Sequence, residues 1–114
     1  MIAVIFESIA QDVQKQAYLD AGARLQPLLA NIDGFLSIER FQSLTTPGKV
    51  LALSFWRDEE AVRQWRNLEQ HREVQRAGRR SIFQDYRLRV AHVVRDYGLN
   101  DRAQAPKDSV AAHR

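Results

Sequence analysis

The stretch from Ser54 to Gln75, SFWRDEEAVRQWRNLEQHREVQ, holds both tryptophans of the chain, Trp56 and Trp65, and one of its three histidines, His71. An indole offers a broad apolar face on which a flat ring can stack, and one N–H that needs an acceptor. A neutral imidazole near physiological pH can take a proton from a bound molecule. Together they suit a reaction that begins with proton removal from a flat, apolar compound. Each also has a plainer use. Trp65 lies mid-stripe with Ala61 and Leu68 and can simply pack a helix; Trp56, at the end of a strand candidate, fits core or a subunit contact better than a pocket. His71 falls where the apolar stripe ends, which suits an exposed or helix-capping residue as well as a base.

Other chemistries are poorly provided for. There is no cysteine, which removes disulfides, thiolate metal sites and thiol nucleophiles. Three scattered histidines form no His-x-x-x-His or carboxylate–histidine spacing, so no metal site is expected. No Ser-His-Asp order, phosphate-binding glycine loop or dinucleotide fingerprint occurs. His92 alternates with Leu88 and Val90 and is expected in core or interface; His113 lies in the tail.

The 114 residues suit one domain, and 45% apolar with 27% charged residues is ordinary globular usage. The net charge of +3 is concentrated between Arg57 and Arg89, where nine arginines face six acids. Most of that is expected to be a solvated helix face with i,i+4 pairs. The basic-Gly-aromatic pattern of RNA-binding sheets is absent, so no nucleic-acid partner is expected. No apolar run approaches a membrane span, and MIAVIFESIA lacks a basic leader, so a cytoplasmic location with no membrane contact is expected.

The elements that must position these residues read as follows. IAVIFESI, residues 2–9, is a strand rich in β-branched residues. Val13, Ala17, Ala21, Leu25, Leu28, Leu29 and Ile32 form a helical stripe, with a kink or break expected near Leu25–Gln26 because of Pro27. Gly34 suits the C-terminal turn. FLSIERFQS (35–43) and KVLALSFW (49–56) form a hairpin about Pro47-Gly48. Asp58 caps the next helix, acidic at Glu59 and Glu60. That helix is expected to break near Gln70–His71, with a second piece to about Arg80. YRLRVAHVVRDY (86–97) is a strand, with Tyr86, Leu88, Val90, His92 and Val94 on one face. Residues 1–98 form the domain and 99–114 a polar tail, loosely ordered or laid along a neighbour.

The order β-α-β-β-α-β is the ferredoxin-like arrangement, an α+β fold with an antiparallel sheet. Ile2, Val4 and Phe6 face one way and Ala3, Ile5 and Ile9 the other; Leu51, Leu53 and Phe55 back onto Val50, Ala52 and Trp56. Both sheet faces are apolar, yet two helical segments cover only one. A homodimer burying the other face, with sheets face to face or closed into a shared barrel, is the expected outcome.

GFLSIERF, LSFWRDEEAVRQW, EQHREVQRAGR and DYRLRVAHVVRDYG, in that order on those elements, resemble the antibiotic biosynthesis monooxygenase (ABM) superfamily of dimeric α+β-barrel proteins. The resemblance covers residues 2–98 and implies the same dimer. It also implies oxygenation of a small hydrophobic aromatic or quinol-like ligand with molecular oxygen and no metal, flavin or nicotinamide, or binding of such a ligand without turnover. Trp65 matches the helix tryptophan that lines the family's cavity, and His71 is the candidate base. Phe6, Glu7, Phe55 and Phe83 are candidate substrate contacts; Phe41 and Tyr86 are further candidates for the lining. A related branch binds and degrades heme. Where that branch carries an asparagine and a ligating histidine, this chain is similar in position at Glu7 and Gln75, so heme is the less favoured reading.

Overall fold

Strand β1 (Ile2–Ala10) is the axis of the sheet, because its β-branched side chains are apolar on both faces and tolerate burial on either. It pairs antiparallel with β3 (Lys49–Trp56) on one side and β4 (Phe83–His92) on the other. Strand β2 (Phe35–Gln42) adds to β3 at one edge, giving the order β2-β3-β1-β4. Helices α1 (Lys15–Leu29) and α2 (Glu59–Gln75) make the two crossovers, and a short α3 (Lys107–Ala112) forms within the segment read as tail. The expected ferredoxin-like α+β order is therefore the fold. The computed structural model describes residues 1–10, 15–75 and 83–112, with side chains throughout except at 10, 15, 17–19, 21, 69–75, 83, 84 and 110–112.

Register fixes which residues share a face. Ile2 lies opposite Trp56 and His92, Val4 opposite Ser54 and Val90, Phe6 opposite Ala52 and Leu88. This set faces the helices. Ala3, Ile5, Glu7 and Ile9, with Leu51, Leu53 and Phe55, form the reverse face. The core sits between sheet and helices, where Ile2, Val4, Leu29, Trp56, Ala61 and Val62 are buried and Ile32, Phe35, Ile38 and Trp65 pack against them.

Two expectations about the helices are corrected. No break occurs at Leu25–Gln26: Pro27 lies within α1, whose last turn is held by buried Leu29. The helix ends two residues beyond the proline, so the missing N–H interrupts little of the ladder. Nor does α2 stop at Gln70–His71; it runs unbroken to Gln75. The end of an apolar stripe does not end a helix when glutamate, glutamine and arginine, all good helix formers, continue it. The helical piece expected to reach Arg80 lies outside the described residues. Strand β4 starts three residues earlier than expected and ends at His92, after which Val93 N–H makes a last bond to Met1 O at 3.0 Å.

The β2–β3 turn is closed by Ser43, whose Oγ accepts the N–H groups of Thr45 and Thr46 at 3.3 and 3.0 Å. Gly48 takes φ +78° there, and Gly34 takes φ +93° just before β2. Both conformations are ones that side-chain-bearing residues resist.

Candidate functional site

The tryptophans of the opening stretch meet. The Trp56 and Trp65 rings have centroids 5.6 Å apart and planes inclined by 38°. Trp56 is fully buried; its Nε1–H donates to Ser54 Oγ at 2.9 Å, and Phe35 packs edge-on at 5.1 Å. Strand alternation puts Ser54 and Trp56 on one face, so the indole finds its acceptor two residues back on its own strand. Trp65 is only half-buried and lies against Trp56 at the margin of the core. Trp56 is thus core, and Trp65 packs against it at the core's edge.

Beside this pair the helix-side face of the sheet changes character. At the Trp56 end of β3 it is buried, but Tyr86, Leu88 and Val90 on β4 keep 62%, 43% and 46% of their surface. The Phe6 and Tyr86 rings lie 5.6 Å apart, extending the strip onto β1. The result is an apolar floor open to solvent, on the same sheet face as Trp56, which lies level with Ile2 and His92. The alternation of Tyr86, Leu88 and Val90 was legible in sequence; their exposure was not, because it depends on where the helices sit. His92, expected in core or interface, is exposed at the end of β4.

The sequence-derived site set is divided by the sheet. Trp65 and Phe6 are on the helix side. Glu7 and Phe55 are on the reverse face, because odd-numbered β1 residues pair with odd-numbered β3 residues. Their inclusion with Trp65 is corrected accordingly: one strand position reverses the face. Glu7 instead bridges three strands, receiving Arg89 Nη1 at 3.2 Å and Lys49 Nζ at 3.7 Å. The side chains of His71 and Phe83 lie outside the described residues. In backbone register His71 is six positions beyond Trp65 in an unbroken helix, about a third of a turn away around its axis.

Helix α2, which carries Trp65, is anchored at its start. Asp58 Oδ1 accepts Ala61 N–H at 3.0 Å, an N-cap. Arg57 places its guanidinium against Asp33 at 3.2 and 3.3 Å and against Asp58 at 3.1 Å. Its backbone N–H donates to Gly34 O at 2.7 Å. The turn before β2 is thereby tied to the start of α2. The hydrogen bond to Asp33, then that to Asp58, raises the Arg57 pKa, while the Ala61 N–H and then Arg57 lower that of Asp58.

A second concavity lies on the reverse face, about 390 Å³, lined by Met1, Leu36, Ser37, Phe55, Val93, Arg95 and Asp96. Among the described residues no group of three or more His, Asp or Glu converges as metal ligands. No described helix is long and apolar enough to cross a membrane.

Comparison with known proteins matches this geometry to a lineage. The family model described as antibiotic biosynthesis monooxygenase matches residues 1–77. The chain is 45% identical over 101 residues to the jasmonate monooxygenase ABM of Pyricularia oryzae, covering 89% of this chain and 47% of that one. It therefore spans about half the length of that relative. Among solved structures, a putative antibiotic biosynthesis monooxygenase from Deinococcus radiodurans superposes with TM-score 0.72 at 14% identity, over 87% of this chain and 98% of that one. The heme-degrader MhuD of Mycobacterium tuberculosis, with two hemes bound in its active site, gives 0.64 at 19% identity, over 86% and 100%. At these identities both structures show a shared fold and nothing about chemistry. With the family match over two thirds of its length, the chain belongs to the antibiotic biosynthesis monooxygenase family.

Proposed function

We propose that the chain is a monooxygenase that needs no resident cofactor, oxidising a small hydrophobic aromatic or quinol-like compound held between α2 and the sheet. Two observations support this: the half-buried Trp65, which lies against Trp56 at the His92 end of the helix-side face, and the open apolar strip of Phe6, Tyr86, Leu88 and Val90 on that same face. A flat ring stacks on the indole while its edges rest on that floor. His71 takes the proton that activates the substrate, and the indole and apolar floor shield the ring faces that rest on them. Phe83 contributes to the lining.

The redox balance closes within the substrate. A ring CH₂ activated by a neighbouring phenol or enol loses a proton, and the carbanion gives electrons to dioxygen. A carbon–oxygen bond forms as a hydroperoxide, which loses water and leaves a carbonyl. One oxygen atom enters the product; the other departs as water with the two substrate hydrogens. A plain hydroxylation would need an added reductant, which separates the two chemistries experimentally.

The reverse face supports a homodimer. Ile5, Ile9, Leu51, Leu53 and Phe55 form a half-buried apolar surface on the side of the sheet away from the core cluster. A second copy, related by a two-fold axis, covers it most economically. Heme is the weaker alternative, since Gln75 offers an amide where the heme-degrading branch has its histidine. Ligand binding without turnover is the other alternative.

The test is oxygen uptake by metal-free protein given a series of activated phenols and quinols, and jasmonate because of the Pyricularia relative's name. Assays run with and without reductant, under isotopically labelled dioxygen. Uptake without reductant, with one labelled atom in a product that has lost two hydrogens, supports the reading. Thermal stabilisation by the compound with no product points to a binding protein instead. Full activity in both Trp65→Phe and His71→Ala ends the residue assignment, and a Soret shift on heme titration revives the heme alternative.

A further inference from the structure

Beyond Val93 the chain leaves the sheet, and bonds among its own residues shape it. Asp96 N–H donates to Gln104 Oε1 at 2.8 Å, Gly98 N–H to Asp101 O at 2.8 Å, and Ala105 N–H to Arg102 O at 3.1 Å. Arg102 lies 5.3 Å over the Tyr97 ring and donates to Gly98 O at 3.3 Å. Helix α3 follows. Such an arm is shaped rather than loose, yet two of its apolar residues stand in water: Val94 is 78% and Leu99 90% exposed. Ordering a segment costs conformational entropy, and apolar side chains left in water return none of it.

The molecule's dimensions agree. The radius of gyration is 16.9 Å, against about 13 Å for a compact domain of this length, and the extents are 56 × 34 × 19 Å. At the arm's root is the reverse-face concavity, walled by Met1, Leu36, Phe55 and Val93. Leu36 is delivered there because a bulge between Phe35 and Ser37 drops it from the β2 ladder. Each chain thus carries two exposed apolar side chains on its arm, Val94 and Leu99, and an apolar concavity, or seat, at the arm's root. Phe55 belongs both to that seat and to the face assigned above to a second copy, so seat and dimer surface are continuous.

We propose that residues 93–112 form a strap exchanged between two copies. Leu99, at the tip of the self-bonded turn, enters the concavity beside Leu36 and Phe55 of the other protomer, and Val94 covers its rim. The exchange is reciprocal, as a two-fold axis requires. The chain's own arm does not fill its own seat: Val93, Arg95 and Asp96 form the wall, and Leu99 stands in solvent. The inference rests on the dimer reading and goes beyond it by naming what closes the interface.

The absence of cysteine makes disulfide trapping clean. Leu36→Cys and Leu99→Cys are prepared singly and combined in one chain, with Leu44→Cys, on the fully exposed hairpin turn, as a control for Leu36→Cys. The expected result is a covalent dimer from the combined variant under mild oxidation. A mixture of the two single variants should link at least ten-fold faster than Leu99→Cys with Leu44→Cys. Linking within one chain, or rates equal to the control, overturns the strap. In parallel, Val94→Asp with Leu99→Asp should raise the dimer dissociation constant at least ten-fold with unchanged circular dichroism; an unchanged constant counts against it. Sedimentation of the unaltered chain separates the two claims. A monomer at micromolar concentration overturns the dimer and the strap together, whereas a dimer without the Leu36–Leu99 link overturns the strap alone.

Discussion

Trp65 leans on Trp56 at 5.6 Å, and Trp56 in turn hands its N–H to Ser54. The chain from strand hydroxyl to buried indole to half-buried indole gives the proposed wall a rigid backing. A side chain that must hold a ligand in one orientation benefits from neighbours that cannot yield.

Removing the backing should cost more than removing the wall. Trp56 is wholly buried, so Trp56→Ala is expected to cost about 3–5 kcal/mol. That is a large part of the roughly 5–15 kcal/mol a domain possesses. Ser54→Ala strands the indole N–H and should cost about 1–3 kcal/mol. Urea unfolding of Ser54→Ala, Trp56→Phe and the combined variant tests the coupling: the hydroxyl's loss should matter much less once no N–H needs it. Simple additivity would show that the 2.9 Å bond contributes nothing.

Trp65→Phe should leave the fold intact and isolate Trp56 as the sole emitter. Its fluorescence should be blue-shifted and poorly quenched by acrylamide, because no solvent reaches the ring. Trp56→Phe should do the opposite, leaving a redder, quenchable emission that responds to added substrate.

Gly34→Ala and Gly48→Ala separate two costs. At Gly48 a Cβ meets nothing within 4 Å, so only the φ of +78° is strained, by about 1–2 kcal/mol. At Gly34 the same strain is joined by a Cβ 2.9 Å from that of Ala61 at the start of α2. Differential scanning calorimetry should show the larger drop in Tm for Gly34→Ala, and an equal drop would mean that α2 shifts freely.

The Asp58 cap predicts a pH dependence. Its carboxyl is held below the ordinary carboxylate range by the Ala61 N–H and by Arg57. A depressed folded-state pKa means the contribution is complete above the unfolded value and lost as pH falls through the folded one. Asp58→Asn keeps an acceptor for the cap but not the charge. Its Tm should lie a few degrees below that of the unaltered protein at neutral pH, and the two should converge in acid. A gap that persists below about pH 2 would show that charge is irrelevant.

The strands β1 and β3, the Asp58 cap and the pairing of sheet faces were legible because period-two alternation and cap chemistry are local properties of the chain. The site was legible only in part. Trp65 and Phe6 were recognisable by type, but Glu7 and Phe55 were grouped with them because kind of residue says nothing about which face it occupies. The exposure of Tyr86, Leu88 and Val90 depends on how far α1 and α2 extend across the sheet, which no window of sequence contains. Pro27 and the polar run after Leu68 misled for a related reason. Local rules mark where a helix is weak, while packing of Leu29 and continued helix-forming residues decide whether it goes on.

The bulge at Leu36 does more than free one side chain. Phe35 and Ile38 are three residues apart, an odd interval, yet both pack on the core side. The extra residue resets the phase of the strand at its start, so a single-residue deletion there would swap inside for outside along the rest of β2. Length at this point is constrained more tightly than residue identity.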